Sequence, residues 1–272
     1  MGGRLEGKVA IITGAGRGIG AAIATRFAAE GARIVIADLL KEGLEETASA
    51  CPEGSAFPFP TDVRKIEDVQ AMVAAALKFG GKIDILVNDA GITRSGGVAN
   101  ADIDEWMDVI ATNLFGPFYI IRAVIPHMIN AGGGSIVSIS SLAGIRRMPE
   151  ASAYSTSKGG LIAMAQSVAF DYGKYNIRSN IICPGLTHTK NVDLMAENMG
   201  KAHGLEKEKV LEDMVRYSPA RRLVPPDEIA AAAVYFASDE STTVTGAVLS
   251  VDSGAAIVDA SVAGFDPHER LR

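Results

Sequence analysis

A chain of 272 residues, 48% hydrophobic and 21% charged, can bury a sizeable core, and its composition excludes a disordered or fibrous protein. The formal net charge of -6 is spread over interspersed acids and bases with no basic run, which argues against a nucleic-acid surface and gives no support for docking on an anionic membrane. Two distant cysteines, Cys51 and Cys183, make neither a disulfide framework nor a metal cluster; with no secretory signal visible, the expectation is a reduced, cytoplasmic protein.

Residues 9–12 form an apolar run too short for a signal core or a membrane span, and they read as a first strand. Thr13-Gly-Ala-Gly-Arg-Gly-Ile-Gly20 follows and opens a helix over 19–30. Gly14, Gly18 and Gly20 are spaced for a tight turn, close backbone approach and close helix packing. The helix start then offers free N–H groups and a partial positive charge to a pyrophosphate. A second strand over 33–37 ends at Asp38, where a carboxylate can bind both adenosine ribose hydroxyls and repel a 2′-phosphate. Arg17 pulls the other way, because a cation in this turn can pair with such a phosphate. Asp38 weighs more, so NAD is expected over NADP.

Residues 55–60 are a weaker strand that carries Pro58 and Pro60 and therefore belongs at a sheet edge. A helix over 65–79 and a strand over 83–87 come next. A long helix over 104–130 holds Asn113, which is either a satisfied core amide or a site residue. The strand at 135–139 runs into Ser140 and Ser141, either of which can donate a hydrogen bond to a substrate oxygen in the crevice at the strands' carboxyl ends. In the helix over 152–174, Tyr154-Ser-Thr-Ser-Lys158 puts a phenol and an ammonium on one face. A free phenol is a poor base at neutral pH, and an ammonium beside it favours the phenolate. A strand over 177–182, an irregular stretch over 186–216 that reads as a helical flap, a helix over 226–237 and a strand over 248–251 complete the pattern. Residues 255–272 read as a tail, either frayed or docked on a neighbouring subunit.

Strands alternating with helices define one α/β domain over residues 1–272, a Rossmann-like, doubly wound parallel sheet with helices on both faces and the order 3-2-1-4-5-6. No linker or repeat divides it.

These motifs together resemble the single-domain branch of the short-chain dehydrogenase/reductase family over nearly the whole chain. Thr13–Gly20 matches TGxxxGxG, Asn88-Asp-Ala-Gly91 is similar to NNAG, and Pro184-Gly185 with Thr189 resembles a PGxxxT turn. The resemblance implies a catalytic tetrad of Asn113, Ser141, Tyr154 and Lys158. It implies cofactor contacts from Gly14, Arg17, Gly18, Ile19, Gly20 and Asp38 on the first half of the sheet. Asp62 and Val63 would lie beside the adenine, with Asn88, Ala90 and Gly91 bordering the cofactor. Pro184, Gly185, Thr187 and Thr189 would meet the nicotinamide end, with Tyr154 and Lys158. It further implies that Asn113 holds a water in a proton relay and that the protein is a homotetramer using helices such as 104–130 and 152–174, with the apolar stretch 255–265 open to another contact. Two positions depart from the pattern: Asp89 replaces the second Asn of NNAG, and Ser253 stands where Gly is frequent.

The expected reaction is hydride transfer between nicotinamide and a secondary alcohol or ketone, without a metal; the four histidines show no ligand spacing, and His188 reads as an exposed loop residue. Leu186, Met195 and Met199 suggest an adaptable apolar lining for a hydrophobic small molecule, alicyclic, aromatic or steroid-like. A 3-oxoacyl thioester is the rival substrate, and a non-catalytic NAD-binding scaffold the rival class. Arg146 and Arg147 are either solvated loop charges or partners for an acidic substrate group.

Overall fold

The computed structural model of the protein describes residues 2–259. Strands β1 (Val9–Thr13) and β4 (Ile85–Asn88) are buried at every position, which is why they read as unbroken apolar runs. With β2 (Arg33–Asp38), β3 (Ala56–Pro60), β5 (Gly134–Ile139), β6 (Ile177–Pro184) and β7 (Val248–Val251) they form one parallel sheet in the order β3-β2-β1-β4-β5-β6-β7. Pro58 and Pro60 pair with Ile36 and Asp38 across the outer edge, where a missing N–H leaves no ladder bond unmade.

Successive side chains of each strand point to opposite faces and feed two cores. Ala10, Ile12, Ile34 and Ile36 pack with Ile23 and Phe27 of α1 (Gly18–Ala29). Phe236 joins them from α10 (Pro226–Ala237), and Leu44 from α2 (Lys41–Ser49). Ile11, Val35, Leu86 and Ile136 pack on the other face with Met72 of α3 (Ile66–Gly80) and Ile120 and Val124 of α5 (Gly116–Asn130). Helices thus cover both faces.

The helix predicted over 104–130 is three pieces. α4 (Ile103–Ile110), capped by the Asp102 carboxylate, leads into a π-helical segment, Ala111–Phe115, and then into α5. The continuous run Ile103–Asn130 contains an 18-residue stretch apolar enough to cross a membrane by length and composition, yet half of that stretch is buried within the fold. α2 is an unpredicted helix; only Leu44 and Thr47 of it are buried, so it carries no apolar stripe. α6 (Leu142–Ile145) is a single turn, and α7 (Ser152–Tyr172) ends in a 3-10 turn at Gly173–Tyr175. The flap is helical, with α8 (Lys190–His203) and α9 (Lys207–Val215) tied together by Lys207, which lies 3.3 Å from the Asp193 carboxylate. The tail reading beyond residue 259 lies outside the described residues.

Candidate active site

At the carboxyl end of β1 the chain turns sharply, with left-handed backbone at Gly14 (φ 71) and Gly18 (φ 61). A Cβ on Gly20 would strike the Gly14 carbonyl oxygen and lie 2.7 Å from Asp89 Oδ2, so only glycine lets α1 start this low over β4. Thr13 Oγ1 binds this turn to the next by accepting from the N–H groups of Asp89 (3.3 Å) and Ala90 (3.4 Å). Arg17, the cap residue of α1, gives no side-chain hydrogen bond to the helix, and the first turn holds no acid. The first N–H groups of α1, that of Ile19 among them, therefore face outward to an anion, while Gly20 lies over the Asp89 carboxyl.

Asp38 closes one side of the turn: Oδ2 accepts from Gly16 N and Oδ1 from Leu40 N, each at 3.0 Å. Asp62 is held by Arg64, Oδ1 to Nε and Oδ2 to Nη2 at 2.9 Å each, and that guanidinium holds its carboxyl below the usual carboxylate range. Val63 packs against Gly116 of α5. Thr189 reaches toward Gly18 from the start of α8, and the Thr187 hydroxyl donates to Gly185 O at 3.1 Å. Gly185 itself backs onto Asp252, and Pro184 ends β6. Ser253 adopts a left-handed backbone (φ 58), the conformation that favours glycine there.

Asn88, buried at the end of β4, has neither amide atom paired among the described residues, and the hydroxyl of its strand neighbour Ser138 is also unpaired. Buried unpaired polar atoms, a glycine cradle and an open helix start all fit a dinucleotide laid across the switch in strand order between β1 and β4.

The π segment places Asn113 opposite the Asn88–Gly91 turn. Its Oδ1 accepts from Ile92 N, and its Nδ2 donates to Ile92 O (both 2.8 Å) and to Ser157 Oγ (3.1 Å). The two readings of Asn113 merge: it is a satisfied buried amide that fixes the loop beside Gly91 to the Tyr154 helix. Ser157, which sequence reasoning passed over, is the link, since its hydroxyl donates to Tyr154 O at 2.8 Å. Its place inside the Tyr154–Lys158 motif was the available signal.

Lys158 is buried, donates to Ile139 O at 2.8 Å and lies 5.8 Å from the centre of the Tyr154 ring. A Cβ on Gly91 would lie 3.4 Å from its ammonium, so the ammonium adjoins the Asn88–Gly91 turn as well. The two serines have distinct settings. Ser140 is buried and donates to Lys158 O at 2.9 Å, whereas Ser141 is half-buried and caps α6 by accepting from Ala143 N at 3.1 Å. Ser141 therefore keeps its hydroxyl proton for another acceptor.

Arg147 folds back onto the carbonyls of Ala143 and Gly144, and Arg146 onto that of Ala256; both remain exposed loop residues. Leu186 is half-buried, while Met195 and Met199 are exposed. His188 is exposed, 3.7 Å from the Asp193 carboxylate.

A phenol, an ammonium, a hydroxyl and a fixed amide thus stand on α7, at the start of α6 just past β5, and on the π segment, next to a cradle shaped for a dinucleotide. The fold and cradle define a doubly wound, dinucleotide-binding protein. Residues 14–256 match the family described as enoyl-(acyl carrier protein) reductase. The chain is 37% identical over 257 residues to a 3-oxoacyl-(acyl-carrier-protein) reductase of Thermotoga maritima, covering 93% of this chain and 100% of the relative. Its fold superimposes on levodione reductase with a TM-score of 0.88 at 31% identity, covering 94% of this chain and 100% of that one. It superimposes on an actinorhodin polyketide ketoreductase with NADPH at a TM-score of 0.87 and 30% identity, covering 95% and 100%. The chain belongs to the short-chain dehydrogenase/reductase family of oxidoreductases, which bind nicotinamide cofactors.

Proposed function

We propose that this oxidoreductase transfers hydride between NAD and a hydrophobic secondary alcohol or ketone, with Tyr154 as its acid/base. The observation that carries this reading is Lys158, buried and pinned by Ile139 O with its ammonium 5.8 Å from the Tyr154 ring centre. The bound nicotinamide supplies the hydride chemistry. In the oxidative direction Ser141 holds the substrate hydroxyl and Tyr154 takes its proton. The Lys158 ammonium stabilises the phenolate and is placed to bind the nicotinamide ribose. Asn113 holds the loop at Ile92 against α7, so these groups keep their spacing. Asp38 favours NAD: its carboxylate already lines the turn at Gly16, where a 2′-phosphate would meet a like charge. The relative seen with NADPH makes NADP the competing cofactor, with Arg17 as its partner. Partly exposed Met195 and Met199 support an apolar substrate, and the named reductase relative makes a 3-oxoacyl thioester the second reading.

We also propose a cytoplasmic homotetramer that takes a small-molecule substrate, with neither nucleic acid nor membrane as partner. The net charge of -6 speaks against a nucleic-acid partner, and the exposed Phe118 and Phe170 support assembly with further copies of the chain.

The test is a screen of hydrophobic secondary alcohols and 3-oxoacyl thioesters with NAD and NADP, read by reduced-nicotinamide absorbance, on the native protein and Tyr154→Phe. Turnover with NAD is expected, falling by about 10³-fold or more in the variant while NAD still binds. Turnover with NADP alone would overturn the Asp38 argument. Cofactor binding without turnover of any substrate, together with unchanged biological function in Tyr154→Phe, would make the protein a scaffold.

A further inference from the structure

Asp89 is an acid that the proposed reaction does not use and that lies against the phosphate turn of the cofactor cradle. Its backbone is tied to Thr13, and its Oδ2 sits directly beneath Gly20, within 2.7 Å of where a Cβ would stand. Three charged or polar groups act on it: the Gly20 N–H of α1, the Lys158 ammonium of α7, which favours its ionised form, and the Asp38 carboxylate of β2, which opposes it. The residue keeps some surface, but its carboxyl lies deep under the turn.

We infer that Asp89 sets dinucleotide affinity, because its ionised carboxylate competes with the cofactor's phosphates for the positive start of α1. The inference rests on the nicotinamide-dinucleotide reading above. The physics is a contest for one electrostatic resource. The first turn of a helix offers a few free N–H groups and a partial positive charge. Asp89 draws on the Gly20 N–H from below, and a pyrophosphate draws on the same turn from the solvent side. A carboxylate under the cradle adds a like charge where the cofactor brings two. The neutral acid removes that charge and leaves Gly20 N–H free. Burial supports the contest, because it favours the neutral acid and pushes the Asp89 carboxyl up to about 7, against the pull of Lys158. Binding of an anion above the turn then favours proton uptake at Asp89 from solvent, one proton per ionised site.

The experiment measures Kd for NADH, NADPH and ADP-ribose by calorimetry from pH 5.5 to 8.5 on the native protein and on Asp89→Asn. ADP-ribose carries the pyrophosphate and both riboses but no nicotinamide, so the hydride chemistry drops out while the contacts of the phosphate turn remain. Native Kd should weaken by about 5- to 10-fold across the range, roughly the effect of one like charge at a partly screened site. Asp89→Asn should stay flat and bind as the native protein does at low pH. Calorimetry in buffers of different ionisation heat should show proton uptake on binding near pH 7 in the native protein and none in the variant. Parallel pH profiles, or equal proton uptake in both, would overturn the inference. If neither protein binds any of the three probes at any pH while both give cooperative melts, the dinucleotide reading itself falls.

Discussion

Asp89 also shapes the stability of the unliganded protein. In the unfolded chain its carboxyl titrates at the ordinary aspartate value near 4. In the folded chain burial raises that to about 7. The folded state therefore holds more protons between the two values, and stability falls as pH rises through that window. The penalty is absent below the unfolded value, complete above about 7, and at most about 4 kcal/mol. Asp89→Asn should raise the melting temperature at pH 8 and change it little at pH 4; an equal shift at both would mean the side chain acts by packing alone. At this scale the sequence was informative where a residue type is rare in its setting. Asp38 at a strand end, the Tyr154–Lys158 pair and Gly14, Gly18 and Gly20 of the first turn could be picked out because few side chains suit those places. The separation of Ser140 from Ser141 could not, since it depends on which hydroxyl finds a carbonyl and which finds an N–H. Ser157 was hidden for the same reason.

Between elements, the start of the Tyr154 helix is held by a loop clamp. The cap residue of α7, Ala151, has no side-chain oxygen to offer. Instead Ser152 Oγ donates to Gly96 O (2.8 Å), Gly96 N donates to Glu150 O (2.8 Å), and Gly97 N donates to the Glu150 carboxylate (2.9 Å). Glu150 makes these bonds from a left-handed backbone (φ 50), which costs about 1 kcal/mol or more for a non-glycine residue. Glu150→Ala keeps the strain and loses the carboxylate. It should lower kcat several-fold and leave cofactor Kd unchanged, since the clamp positions Tyr154 and lies away from the phosphate turn. Glu150→Gln, which keeps one acceptor, should recover most of the loss. Equal activity in all three proteins would show that the helix start needs no such hold. The clamp joins residues 54 positions apart (Gly96 and Glu150), so local pattern gave no sign of it. Apolar periodicity found the buried strands and long helices but merged α4, the π segment and α5, because the π turn adds a residue without breaking the apolar run. It missed α2 because a helix lying on the surface has little to bury.

At the scale of the molecule, the order of the sheet was readable because parallel βαβ units admit few arrangements, and the edge prolines marked which end β3 must occupy. What covers the outer faces was not readable in that way. Phe118 of α5 is 47% exposed and Phe170 of α7 is 90% exposed, on the helical layer that also contains the half-buried run Ile103–Asn130. Large exposed aromatics on a layer this apolar are costly for a monomer, and a second copy of the chain is the occupant we propose. Burying one such side chain in a contact is worth roughly 2 kcal/mol, and a two-fold interface repeats each substitution on both sides. The double variant Phe118→Glu, Phe170→Glu should therefore shift the proposed assembly toward smaller species by several orders of magnitude in the association constant, measured by sedimentation across a concentration series. The sheet and its melting should survive, because neither ring belongs to the two cores. A native protein that sediments as a monomer, or a variant that assembles as tightly as the native chain, would show that these faces stay open to water and that the apolar run serves the fold alone.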